Sequence, residues 1–172
     1  MILCDYDFVV FDCDGVILKS NQLKSDAFAK ALEGEPERQI FEFVEYHKAN
    51  GGISRYKKFA HYFNEMYPRP DADAAVEQAL GKYAALVKQG LMECELIGGV
   101  HAALSALQAA QIPCAVNSGG DEQELLQVFA ARGLDQFFVH IFGSPTPKND
   151  NMQRLKDHDF FKGRGVMLGD SK

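Results

Sequence analysis

No two cysteines in this chain are spaced C-x-x-C. The four that occur, Cys4, Cys13, Cys94 and Cys114, therefore give no sign of a structural zinc site. The five histidines, His47, His61, His101, His140 and His158, contain no H-x-x-x-H pair, so a histidine metal centre is not expected either. A basic stripe is also missing. The 18 Lys and Arg are scattered among 24 Asp and Glu, for a net charge of -6, which argues against a nucleic-acid partner. No apolar run approaches the roughly 18 residues of a membrane span. The opening MILCDYDFVVFD carries acids where a leader peptide carries basic residues. Internal repeats and low-complexity stretches are absent. These absences lead to the expectation of a soluble, cytoplasmic protein with reduced thiols. It would be a monomer or homodimer with neither nucleic acid nor membrane as partner.

What is present suffices for a packed core: 47% of the 172 residues are hydrophobic. That length holds one domain, or a core with a smaller inserted lid. Phe8 to Phe11 is a short apolar run suited to a strand buried on both faces of a parallel sheet. It ends at Asp12-Cys13-Asp14-Gly15, where glycine permits a sharp turn. A helix is predicted from Asn21 to Leu32, with Leu23, Ala27, Phe28 and Ala31 on one face. The stretch from Gly34 to Glu95 shows helical patterns and no buried strand. Its predicted inward faces are Ile40, Phe41 and Val44; then Tyr56, Phe59, Ala60 and Phe63 behind a Ser54 N-cap; then Val76, Ala79, Leu80, Tyr83, Leu86 and Val87. From Gly98 the α/β alternation resumes. Strands are predicted at Ile112–Val116, Phe137–Phe142 and Val166–Leu168, with helices at Val100–Leu107, Asp121–Arg132 and Asn149–Lys156. The expected fold is α/β: a Rossmann-like parallel-sheet core from residues 1–20 and 96–172, with an α-helical cap inserted over 21–95.

The polar residues of interest follow strands. Asp12 and Asp14 follow the first, Ser118 the second and Asp170 the last, while Lys148 lies shortly beyond the third. Open parallel sheets bind ligands at the carboxyl ends of their strands, so these residues should meet in one crevice. A carboxylate such as Asp12 can attack phosphorus. A second, Asp14, can protonate the leaving alcohol and later deprotonate water. Crowding by neighbouring acids is expected to raise the pKa of one member of the pair, so that Asp14 can be protonated. Asp170 could join Asp12 in holding Mg²⁺, which takes one or two carboxylates and substrate phosphate oxygens. Ser118, Gly119 and Gly120 offer a hydroxyl and backbone N–H groups to an anion. Asn117 is the alternative side chain at that strand end, and Ser118 could instead N-cap the following helix. Lys148 would supply a point charge to the nucleophile and the phosphoryl oxygens. Singly, each of these is also an ordinary turn or surface residue.

Taken in order, FDCDGV, AVNSGG, Lys148 and MLGDSK resemble the four motifs of the haloacid dehalogenase-like superfamily. The resemblance covers nearly the whole chain, and the helical insert is similar to that family's C1-type cap. The chain looks most like the phosphoglycolate phosphatase and β-phosphoglucomutase branch. YHKANGGISRYKKF, SGGDEQEL and GSPTPK are similar to stretches of bacterial phosphatase-like proteins.

This resemblance implies that Asp12 is the nucleophile and a Mg²⁺ ligand. It makes Asp14 the general acid/base, with its backbone carbonyl also on the metal, and Asp170 a further ligand. Ser118 and Gly119 would hold the phosphoryl group, and Lys148 would neutralise it. The cap loop Gly52-Ile53-Ser54-Arg55 would face the substrate, a small phosphorylated metabolite such as a sugar phosphate. Arg55 and Ser54 would be its contacts. The family pattern has a further acid beyond the Gly-Asp-Ser turn, whereas the sequence stops at Lys172. A chain of this extent would anchor its metal or Lys148 less firmly and leave its last strand uncovered.

Other readings compete. Asp14 argues against a dehalogenase, which needs no acid for a halide. A phosphonatase would use a cap lysine as a Schiff base, with Lys19, Lys24, Lys48, Lys57 and Lys58 as candidates. A phosphomutase shares every residue named. A phosphoacceptor signalling module has its acidic pair and phosphoacceptor in another order and no long insert. A catalytically weak phosphate-binding domain is the remaining alternative.

Overall fold

The computed structural model describes residues 3–170. Ser171 and Lys172, the end of the predicted fourth motif, lie outside the described residues. Four parallel strands form one sheet in the order β3-β2-β1-β4: β1 is Phe8–Phe11, β2 Cys114–Asp121, β3 His140–Ser144 and β4 Gly165–Leu168. Alternation along β1 divides the core between two faces. Val9 and Phe11 join one apolar cluster with Val116, Leu104, Leu125 and Val128, whereas Val10 joins Ala115, Phe142, Leu155 and Phe160 on the other. A strand buried on both sides must be apolar throughout, which is why FVVF is continuous rather than alternating.

Helices fill the crossovers. Between β1 and β2 come α1 (Asn21–Ala31), α2 (Glu37–Ala49), α3 (Arg55–His61), α4 (Ala72–Glu93) and α5 (Val100–Ala109). α6 (Glu122–Ala131) links β2 to β3, and α7 (Lys148–Asp157) links β3 to β4. The first four form the helical block, α1 packing on α2 and α4, and α3 on α4. The chain leaves the sheet through Leu18 and returns through Leu96. The two passages run antiparallel side by side, with Lys19 N–H donating to the Glu95 carbonyl at 2.8 Å.

Three expectations need correction. β2 continues to Asp121, because Asn117–Asp121 pairs on towards β3 through a register shift. β3 begins at His140, since Asp135–Phe137 forms a 3₁₀ turn. The inward faces are also displaced. Phe41 is 65% exposed while Phe43 is fully buried, and Leu86 faces outward. The short helices carry apolar residues on more than one side, so periodicity alone does not choose among them.

Phe28 is the hub of the helical block. Its ring lies 5.6 Å from Phe43, 5.3 Å from Phe59, 4.3 Å from Tyr83 and 4.4 Å from the His47 ring. Truncation would leave a cavity that four elements cannot close. Phe28→Ala should cost about 3–5 kcal/mol of unfolding free energy, read from the urea midpoint at unchanged slope. A loss under about 1 kcal/mol would show that the block repacks freely.

Candidate active site

Asp12 is held by the strand before it and the turn after it. Its N–H donates to the Leu168 carbonyl of β4 at 2.8 Å, and its Oδ1 accepts from the Cys13 N–H at 2.7 Å. Cys13 is buried in the core, which leaves Asp12 and Asp14 lining the same cavity. Gly15 then turns the chain at φ +71°. A Cβ there would collide with the carboxylate of Asp170, so glycine is what lets Asp170 lie against the β1 turn. Asn21 Nδ2 holds that carboxylate at 2.7 Å.

The cavity has a volume of about 290 Å³ and lies at the carboxyl ends of the strands. β1 is its natural floor: successive strands step to one side of β1 and the last returns to the other, which opens a crevice at the reversal. Asp12, Asp14, Asp170, Gly119 and Gly120 line its core side. The ammonium of Lys148, at the N-terminus of α7, forms an ion pair with Asp12 Oδ2. The Lys148 backbone is positioned by Asn117, whose Nδ2 donates to its carbonyl at 3.0 Å. Asn117 thus holds the lysine. Ser118 is fully buried, and its Oγ accepts from the Gly120 N–H at 3.0 Å, which shapes the loop. The N-cap of α6 is Asp121, whose side chain accepts from Glu124 N–H.

The helical block covers this floor. Gly52 lies with its carbonyl against Gly119, where a Cβ on Gly119 would meet it at 2.6 Å. Arg55 lines the cavity but forms a buried ion pair with Glu124 of α6. Tyr56 donates to Asp121 at 2.7 Å. Arg55 and Tyr56 therefore tie the cap to the core. Ser54 N-caps α3 as expected, its hydroxyl accepting from Lys57 N–H, but it is not among the residues lining the cavity, where a substrate contact was expected.

The carboxylate pair behaves opposite to expectation. Burial raises the pKa of Asp12, against the opposing charge and hydrogen bond of Lys148. Burial would raise Asp14 too. There it is outweighed by the ammonium of Lys24 at 2.5 Å and the hydroxyl of Ser20 at 2.5 Å, so the pKa of Asp14 is lowered. Each acid has its own cation, but burial outweighs Lys148 at Asp12, whereas Lys24 and Ser20 together outweigh burial at Asp14.

Lys24, expected only as one of five Schiff-base candidates, takes a role that motif reasoning did not give it, as the partner of Asp14. Asn21, Lys24, Ser25 and Phe28 all line the cavity, at spacings i, i+3, i+4 and i+7 on one face of α1. That polar stripe, beginning soon after the D-x-D turn, was the available signal. Lys48, Lys58 and His47 line the cavity as well, whereas Lys19 and Lys57 do not. Among the described residues no three His, Cys, Asp or Glu side chains stand close enough to form a ready metal cluster. Asp12, Asp14 and Asp170 share the cavity but are each bonded to a nitrogen or hydroxyl donor. Even so, the donors are all oxygen, as Mg²⁺ requires, and the Gly15 gap admits Asp170 beside the turn.

Lys58 is 2% exposed, and its pKa is lowered to about 8. Burial is the main cause and repulsion from Lys24 adds to it, with Asp14 opposing. An unfolded chain keeps the ordinary value of 10.5 and so binds a proton that the folded chain releases between those two values. Stability should therefore rise with pH across that window, while below it the folded state carries the full cost of the buried ammonium. Lys58→Met should be more stable than the parent at neutral pH, by on the order of 1–3 kcal/mol. The gap should narrow as pH rises from about 8 to the ordinary lysine value and stay constant above it. Denaturation curves at neutral and high pH check this, and a gap insensitive to pH would refute it.

A family model for haloacid dehalogenase-like hydrolases matches residues 6–172. No curated protein matches the chain. Solved structures share its fold. A predicted phosphatase from Clostridium acetobutylicum is 22% identical with TM-score 0.73, over 96% of this chain and 76% of that one. A β-phosphoglucomutase from Clostridium difficile is 17% identical with TM-score 0.71, over 96% and 76%. A predicted phosphoglycolate phosphatase from Haemophilus somnus is 15% identical with TM-score 0.69, over 96% and 77%. With its match running from the strand before Asp12 to the turn at Asp170 and beyond, this chain belongs to the haloacid dehalogenase-like hydrolase family.

Proposed function

We propose that this chain hydrolyses a small phosphate monoester through a phosphoryl-aspartate formed on Asp12. The observation that carries the reading is the meeting of Asp12, Asp14, Asp170 and Lys148 at the carboxyl edge of one parallel sheet, around one cavity roofed by a helical block.

An Asp12 carboxylate oxygen attacks phosphorus, and the bond from phosphorus to the ester oxygen breaks. Lys148, already paired with Asp12, keeps its charge beside the phosphoryl oxygens as negative charge shifts towards the leaving group. Asp14 gives its proton to that oxygen, then takes one from the water that cleaves the phosphoryl-aspartate. Because Lys24 and Ser20 favour the ionised form of Asp14 in the free protein, the acid step requires the Asp14–Lys24 contact to loosen as substrate enters and Asp14 to take up a proton from water before it can donate one. Gly119, which lines the cavity, would offer its N–H to a phosphoryl oxygen, with Ser118 bracing the loop through the Gly120 N–H. Asp12, Asp170 and the Asp14 carbonyl would hold Mg²⁺. When bound, the ion would screen the repulsion between Asp12 and the ester and stabilise charge in the transition state. The cap excludes water from the cavity while the phosphoryl group moves.

Phosphate release from p-nitrophenyl phosphate, with and without Mg²⁺, tests the reading. Turnover should require the metal and fall to background in Asp12→Asn. Asp14→Asn should lower the hydrolysis of alkyl phosphates by about 10²–10⁴-fold. With the nitrophenyl ester, whose leaving group needs no proton, it should spare the first burst of nitrophenol and slow the later breakdown of the phosphoryl-aspartate. Metal-independent turnover, or full activity in Asp12→Asn, would sink the reading.

A further inference from the structure

The cation inventory of the cavity is uneven. Lys148 is committed to Asp12, Lys24 to Asp14 and Arg55 to Glu124. Lys48 sits at the exposed rim and bonds Glu45. Lys58 differs from all of these. It is buried, lines the cavity, and pairs with no carboxylate among the described residues. Its ammonium donates to His47 Nδ1 at 2.8 Å and to the His47 carbonyl at 3.4 Å. An ammonium has three N–H donors, so His47 leaves at least one free.

The surroundings of Lys58 are built to hold a charge without cancelling it. Because Lys58 donates to Nδ1, the His47 proton sits on Nε2, which donates to Ser25 Oγ at 3.2 Å. Burial and the charges of Lys58 and Lys24 push the pKa of His47 down to about 3, so the ring is neutral at any working pH. The Phe28 ring lies 5.4 Å from the Lys58 ammonium. Phe28, Ile53 and Tyr83 give the cavity an apolar wall, which strengthens any electrostatic contact made against it. Burying a charge that has no counter-charge is costly. A second cation, Lys24, adds repulsion from the same side.

We propose that Lys58, with Lys24 beside it, receives a second anionic group on the substrate, so that the preferred esters carry a carboxylate or a second phosphate at the end remote from the bond that breaks. This rests on the phosphatase reading for the first phosphoryl group. Such an anion would supply the counter-charge that Lys58 lacks. It would lie against α3 and α1, in the cavity that Asp14 also lines.

The test is equilibrium binding by calorimetry to the full chain carrying Asp12→Asn, in the presence of Mg²⁺. The ligands are ethyl phosphate, phosphoglycolate and ethylene glycol bisphosphate, with their three- and four-carbon homologues. They match in length and differ only in a neutral, carboxylate or phosphate tail. The doubly anionic esters should bind about ten- to a hundredfold tighter than the neutral-tailed ones, the scale of one charged hydrogen bond. Comparing the two anionic series shows which tail is preferred. Adding Lys58→Met should collapse the preference to a few-fold, and Lys58→Arg should restore part of it. Equal affinity across the three tails, or a preference that survives Lys58→Met, overturns the proposal. An intact binding preference with no turnover of any ester by the parent chain would leave this subsite standing and remove the phosphatase reading alone.

Discussion

Everything at this sheet edge depends on one ion pair, Lys148 with Asp12. A carboxylate buried to 5% exposure at the end of a strand is costly unless a cation meets it. The same carboxylate can approach an anionic ester only if its charge is partly cancelled. Lys148 meets the first need, and in the proposed reaction it would meet the second. It reaches Asp12 because the chain after β3 turns directly into α7, whose first residue it is, and because Asn117 of β2 fixes its backbone. Three strands thus cooperate on a single contact: β1 carries the acid, β2 the brace and β3 the approach. The sheet order places β1 between β2 and β4, so Asp170 reaches the same cavity from the opposite side.

Much of this was legible in the sequence because it obeys local rules. FVVF reads as a doubly buried strand, and the polar residues that follow strands fall where a parallel sheet binds ligands. Asp12, Asp14, Lys148, Gly119 and Asp170 gather as their positions suggested. What was not legible was set by contacts between distant segments. Nothing near Asp14 in sequence shows that Lys24, ten residues on, will neutralise it, and so the sign of its pKa shift was misjudged. Ser54 and Arg55 were placed on the substrate. Ser54 caps its helix, as its position also suggested, but stays outside the cavity lining, and Arg55, although it lines the cavity, gives its charge to Glu124, because α3 packs over the N-terminus of α6. Phe41 and Phe43 are two residues apart on one helix, and only the docking of α2 on Phe28 and Phe59 decides which is buried.

The helical block is fastened where the chemistry needs a lid. Gly52 and Gly119 meet backbone to backbone, a distance that any side chain on Gly119 would prevent. Arg55 and Tyr56 bind Glu124 and Asp121 in the first turn of α6 and at its N-cap. These acids also suit the positive end of that helix. The residues that hold the lid are therefore neighbours of the loop that would bind the phosphoryl group. Asp121 and Glu124 thus join the helical block to the helix that follows the Ser118–Gly120 loop.

The cap pays for its cations in stability. Stability alone would favour an apolar residue at position 58, since Phe28, Phe43, Phe59 and Tyr83 already supply a packed aromatic centre around α3. Instead the helix carries Arg55 and Lys58 one turn apart, both buried, with only the first given a carboxylate. A helix that needed only to pack would not bury a second cation without a partner. The asymmetry makes sense if the missing negative charge comes from outside the chain and enters with the ester. On that view α3 divides its two buried cations between tasks: Arg55 closes the lid against the core, and Lys58 reads what the lid has closed upon.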